Sequence, residues 1–176
     1  MKKIILVLMF AFLIPSYCLA SQIYEKEDLY LYNCGPLQQY NMVNANDASL
    51  ILGEILDETY TNKISRYDAH IIMESGSIWI DRATNKTDVG QIGRLIVTKQ
   101  DVYTNKGIII GSLDTDIIKK YGTPGFIYLN NIKEYDGIIK QWYLYFYKDG
   151  ISRIVFGLNY DNKVSAMGFS MYPGGI

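Results

Sequence analysis

The chain has 176 residues, with 17 Lys and Arg against 18 Asp and Glu, a single His, two Cys and 49% apolar side chains. That near-neutral balance excludes the basic footprint of a nucleic-acid or anionic-membrane binder, and the length is one domain with a sizeable core. With Cys18 inside the leader 1–20, His70 and Cys34 are too few for a zinc site, which needs more His or Cys ligands than one of each.

Residues 1–20, MKKIILVLMFAFLIPSYCLA, read as a secretory signal peptide. Lys2 and Lys3 give a positive start, residues 4–14 are an unbroken apolar run, and Pro15 breaks it. Cys18 and Ala20 place small side chains three residues and one residue before Ser21, so cleavage is expected between Ala20 and Ser21. The run is short of the ~20 residues that cross a bilayer, so no integral span is expected in the mature chain. Tyr17 stands where a lipoprotein needs a small residue before Cys18, which argues against a lipid anchor. The expected product is an exported domain of residues 21–176, periplasmic or secreted. It carries 15 basic against 18 acidic residues and one cysteine, Cys34. No intramolecular disulfide can form, so packing alone must hold the fold, with Cys34 reading as a small buried apolar residue.

After a leader containing Tyr24, Tyr30 and Tyr32, Asn46 or Asp47 can cap a helix over residues 48–58. Leu50, Ile51, Ile55 and Leu56 fall at helical spacings on one face, with Leu52 beside them. Strand-like runs follow at 67–73, 77–83 and 91–98, separated by a Ser75-Gly76 turn and a longer one over 85–90. Gly111-Ser112 then opens a second helix, with Ser112 as its N-cap and Asp114 and Asp116 in the first turn, where negative charge suits the dipole. Leu113, Ile117, Ile118 and Tyr121 are its apolar contacts. Lys119 and Lys120 lie in its last turn, Gly122 at the left-handed exit, and Pro124 prevents continuation. Three more strands are expected at 141–147, 151–158 and 163–171, joined by Lys148-Asp149-Gly150 and Asp161-Asn162, before a Pro- and Gly-containing tail.

A helix and a three-strand meander, twice over, read as a pseudo-repeat of halves 46–98 and 104–172. The expected fold class is α+β: an antiparallel sheet with two short helices packed on one face.

The segment Thr104-Asn105-Lys106-Gly107-Ile108-Ile109-Ile110-Gly111-Ser112, followed by Tyr121-Gly122-Thr123-Pro124, resembles the repeating unit of exported bacterial domains related to BamE and the β-lactamase inhibitory proteins. Tyr147, Gly150, Ile151, Phe156, Asp161, Lys163 and Val164 are similar to that unit's closing meander, so the likeness covers about the last 75 residues. Gly107, Gly111, Ser112, Gly122 and Pro124 would be the structural motif. The resemblance implies a non-enzymatic module that binds another protein, usually through a sheet face. The lipid site of BamE and the disulfides of the inhibitory proteins have no counterpart here, so neither outer-membrane assembly nor β-lactamase inhibition is implied.

No catalytic motif emerges from the residues. His70, if alternation holds, shares a face with Asp68 and Ile72, but no Gly-x-Ser-x-Gly elbow accompanies it. Asp114 and Asp116 are explained by the helix start, and Glu54, Asp57 and Glu58 by a solvated helix edge. Asp81, Asp88 and Asp101 lack the spacing of a calcium loop. Asn85-Lys86-Thr87 reads as turn chemistry. No cofactor is expected. The aromatic rows carry the sharpest expectation. In strand 141–147, Trp142, Leu144 and Phe146 alternate with Tyr143, Tyr145 and Tyr147, and the more apolar set should pack on the helices. That leaves Tyr143, Tyr145 and Tyr147, joined by Trp79, as an open aromatic face for a protein partner. Cell-wall or glycan binding by stacked aromatics is the alternative, and an enzyme built around His70 ranks third.

Overall fold

The computed structural model describes residues 26–61, 69–147 and 149–171. The expected signal peptide, the cleavage position at Ala20 and Ser21, Tyr24, Tyr67, Asp68 and the tail lie outside the described residues. No helix among those described is long and apolar enough to cross a membrane.

A 3-10 turn, Lys26–Leu29, leads into β1 (Leu31–Tyr32) and β2 (Met42–Val43). Helix α1 (Ala45–Leu52) is followed by β3 (Ile55–Tyr60), β4 (Ala69–Met73), β5 (Gly76–Ile80) and β6 (Gly90–Val97). After β7 (Tyr103–Thr104), helix α2 (Asp114–Tyr121) is followed by β8 (Phe126–Leu129), β9 (Gln141–Phe146), β10 (Arg153–Leu158) and β11 (Val164–Ser170). The main sheet runs β3-β4-β5-β6-β11-β10-β9-β8, antiparallel throughout, with β2 added on β6. β1 and β7 form a separate two-stranded ribbon. The fold is α+β. Each half supplies a helix and four strands, and the halves meet where β6 pairs β11, with Met167 opposite Val97 and Ser170 opposite Arg94.

Local chemistry sets the ends of α1 differently from the expected 48–58 helix. The Asn44 side chain accepts the Asp47 amide at 2.9 Å, so the helix opens three residues early. It stops at Gly53, whose φ of 88° no β-branched residue would adopt, and whose N–H donates to the Ser49 carbonyl at 3.0 Å. Ile55 and Leu56, counted as helical by their spacing, belong instead to strand β3.

Helix α2 exits at Gly122 (φ 75°) as expected, but its N-cap is Leu113, not Ser112. The Ser112 hydroxyl accepts the Ile109 amide at 3.1 Å, in the preceding turn. Asp116 accepts the Leu113 amide at 3.3 Å, and that carboxylate satisfies the helix start in place of a hydroxyl cap.

The main core lies on the face carrying both helices. Ala48 and Leu52 of α1 and Ile117 and Tyr121 of α2 pack there with Ile71, Ile78, Leu95, Phe156 and Phe169. A smaller cluster occupies the opposite face: Trp79, Ile96, Tyr135, Ile139, Trp142, Leu144, Val155 and Ala166. Its cover is the 130–139 segment, where Tyr135 and Ser77 share a hydrogen bond of 2.8 Å and Asn130 accepts the Trp142 indole N–H at 2.9 Å. Cys34 is free and fully buried, and burial pushes its thiol up to about 12, so it is an inert core residue.

Candidate functional site: an open sheet edge

The residues expected to form an aromatic contact face are not on the surface. Tyr143 and Tyr145 are 6% and 1% exposed and belong to the main core, with Tyr147 half-buried against it. The Tyr145 ring packs 5.4 Å from Tyr121 of α2, and its hydroxyl donates to the Gly122 carbonyl at 3.0 Å. Burial and, behind it, the Asp114 charge raise the Tyr143 hydroxyl above its ordinary range. The expected facing of β9 is therefore corrected: the tyrosines pack under the helix, and Trp142 and Leu144 pack on the other side. Polarity misassigns the strand because both of its faces are covered, and a tyrosine suits a helix end where its hydroxyl finds a free carbonyl.

Trp79 is corrected too. It lies on the face of Trp142, opposite the tyrosines, and is 8% exposed. His70 stacks on it at 4.0 Å between ring centroids, and the Arg94 guanidinium sits 4.7 Å from the same ring. The three side chains are cross-strand neighbours on β4, β5 and β6. His70 thus works as a packing partner of an indole. Among the described residues no group of three His, Cys, Asp or Glu side chains could hold a metal. The depression lined by Ile55, Leu56, Asp57, Glu58 and Lys86 is open and of about 360 Å³.

What the surface does present is strand β8. It lies between the second helix and β9, where no strand was expected, and it ends the sheet. Phe126, Ile127, Tyr128 and Leu129 are 53%, 55%, 41% and 76% exposed, so neither face of the strand is covered. Its ladder to β9 places Phe126 opposite Leu144 and Leu129 opposite Gln141. The Asn130 amide donates to the Lys140 carbonyl at 3.0 Å, continuing that ladder. Antiparallel pairing alternates, so Tyr128 also turns its backbone groups to β9, while Ile127 and Leu129 turn theirs outward.

Natural sheets blunt such an edge with charges, a proline or a bulge. The four residues of β8 contain none of these. The opposite edge is guarded: β3 carries exposed Asp57 and Glu58 and a register shift between Ile55 and Asp57. One signal of β8 was present in the sequence, a β-branched and aromatic run bracketed by Gly125 and Asn130-Asn131, though four residues are too few to show a period.

A second exposed aromatic group lies on the β1–β7 ribbon. Tyr32 stacks on Tyr103 with ring centroids 4.8 Å apart and planes within 4°, and Tyr30 meets Tyr32 edge-on at 4.9 Å. Amide groups surround it: Asn33 donates to the Asp101 carbonyl at 2.8 Å, and the Tyr32 hydroxyl lies 3.5 Å from the Asn105 side chain.

No family model matches the chain. No curated protein matches it either. Among solved structures it is similar to a DUF4309 family protein, YjgB of Bacillus subtilis, at 11% identity and a TM-score of 0.39, over 73% of this chain and 78% of that one.

Proposed function

We propose that the chain is an exported, non-enzymatic binding module that recognises another protein by accepting an extended segment of it as an added strand on β8. The carrying observation is an uncharged sheet edge, exposed on both faces, whose outward N–H and C=O groups at Ile127 and Leu129 can form a further ladder. The partner segment would be extended and free of charge over about four residues, since it must lie beside Phe126 to Leu129. Export rests on the signal-peptide pattern of residues 1–20, and the place of action is periplasmic or secreted.

The test compares capture from envelope extract by residues 21–176 and by the Ile127→Pro variant, then follows amide exchange on the captured pair. Loss of a defined partner with the variant, together with slowed exchange at Ile127 and Leu129 in the wild type, supports strand addition. Equal capture and unchanged exchange at those amides would remove it.

A second reading, cell-wall or glycan binding, is favoured by Tyr30, Tyr32 and Tyr103, residues 43%, 36% and 38% exposed beside amide side chains. Titration of cell-wall saccharides against tyrosine fluorescence, with Tyr103→Ala as the control, separates it from the first. A response abolished by that variant and indifferent to Ile127→Pro would move the binding site to the ribbon.

A further inference from the structure

We infer that, in the absence of a partner strand, a second copy of this chain occupies the β8 edge, forming a two-fold dimer that masks the binding site; this rests on the strand-addition reading above. Each copy offers four outward backbone groups, the N–H and C=O of Ile127 and of Leu129. In an antiparallel self-pair about a two-fold axis perpendicular to the sheet, directly opposed residues must point to the same face, so their numbers must differ by an even count. Two central registers satisfy this. Centring on Ile127 would require the Gly125 amide of each copy, and that amide already donates to the Leu144 carbonyl at 2.9 Å. Centring on Tyr128 uses all eight free groups of the pair and no others: Ile127 exchanges two hydrogen bonds with Leu129 of the other copy, and Leu129 two with Ile127.

The side chains agree with that register. Tyr128 opposes Tyr128 across the axis in the closely spaced, non-hydrogen-bonded position, flanked by Phe126, whose ring lies 5.9 Å from Tyr128 in the same copy. Ile127 and Leu129 meet their counterparts on the helix face. No charge lies between Gly125 and Asn131, so self-pairing brings no like charges together. The same operation at β3 would appose the Asp57 and Glu58 carboxylates of two copies, and that repulsion stops growth at the dimer. Four residues a side are few beside the roughly 20–30 of a standard interface, so the dimer is weak and a longer partner strand displaces it.

The test uses residues 21–176, which contain every residue of both hydrophobic clusters. Sedimentation should show a dimer whose share rises with concentration, and Ile127→Pro should remain monomeric with an unchanged circular dichroism spectrum. Tyr128→Cys should form a disulfide dimer under a mild thiol oxidant and Ile127→Cys should not, since opposed non-hydrogen-bonded positions bring Cα atoms to about 4.5 Å, within disulfide range. Buried Cys34 leaves the unsubstituted chain as the blank. A wild type monomeric at all concentrations overturns the dimer, and efficient cross-linking at Ile127→Cys rather than Tyr128→Cys overturns this register. A monomeric wild type whose partner capture is still lost with Ile127→Pro sinks the dimer while the strand-addition reading stands. A disulfide-locked Tyr128→Cys dimer that captures the partner as well as its reduced form does sinks the masking and that reading together.

Discussion

Tyr145 carries a disproportionate share of the local packing. Its ring touches Tyr121 and Phe156, and its hydroxyl closes the exit of α2 at the Gly122 carbonyl. Tyr145→Phe should cost about 1 kcal/mol, the net worth of one hydrogen bond, whereas Tyr145→Ala should cost about 3–5 kcal/mol for the cavity it leaves. Urea unfolding of the two variants measures both; a nearly neutral alanine variant would return the tyrosine row to the surface. Asp149 is the second residue with a defined role, anchoring the β9–β10 hairpin. Burial alone would raise its carboxyl, but the Ile151 and Ser152 amides, each at 2.7 Å, and the Ser152 hydroxyl at 2.7 Å hold it below the ordinary aspartate range. A depressed folded value means that the anchor stabilises the protein fully above the unfolded value, about 3.9, and is lost as pH falls through the folded one. Asp149→Asn should therefore flatten the acid limb of a stability–pH curve below about pH 4; an unaltered limb would assign acid sensitivity elsewhere.

Among the elements, α2 was legible from its residues because its signals are local: acidic residues in the first turn, lysines in the last, then Gly122 and Pro124. Its cap was misplaced by one residue because Ser112 spends its hydroxyl on the preceding turn. Helix α1 was overextended because Ile51 and Ile55 are four apart whether or not Gly53 interrupts them. The strand that begins each meander, β3 or β8, went unread for related reasons: one was absorbed into a helix and the other is too short to show alternation. The candidate site was illegible for the same cause, since an edge is a property of neighbours. β8 also allows an element-scale prediction. Ile127→Pro removes an N–H that faces away from β9, so thermal unfolding should shift by less than about 0.5 kcal/mol. A large loss would place that N–H in the β9 ladder and refute an open edge.

At the scale of the molecule, the β6–β11 pairing unites the two halves into one sheet over a shared core containing residues of both. Gly168 makes this seam possible, because a Cβ there would strike the Leu95 carbonyl and crowd the Ile96 backbone. Gly168→Ala should force β11 from β6 and cost roughly 1–3 kcal/mol, the range for overpacking a filled site. Because the core is common to both halves, unfolding should remain a single transition by circular dichroism and by tryptophan fluorescence. Two separated transitions would show instead that each half holds together alone.

The sequence by itself determined the α+β class, the exit of α2 at Gly122, the turns at Gly150 and Asn162, and the buried, inert character of Cys34, because each follows from local backbone chemistry or from composition. The tertiary structure alone decided which way β9 faces, where Trp79 and His70 pack, and that β8 is left open. Those outcomes depend on what covers each face and which strand lies beside which, and a strand covered on both sides carries no alternation to reveal them.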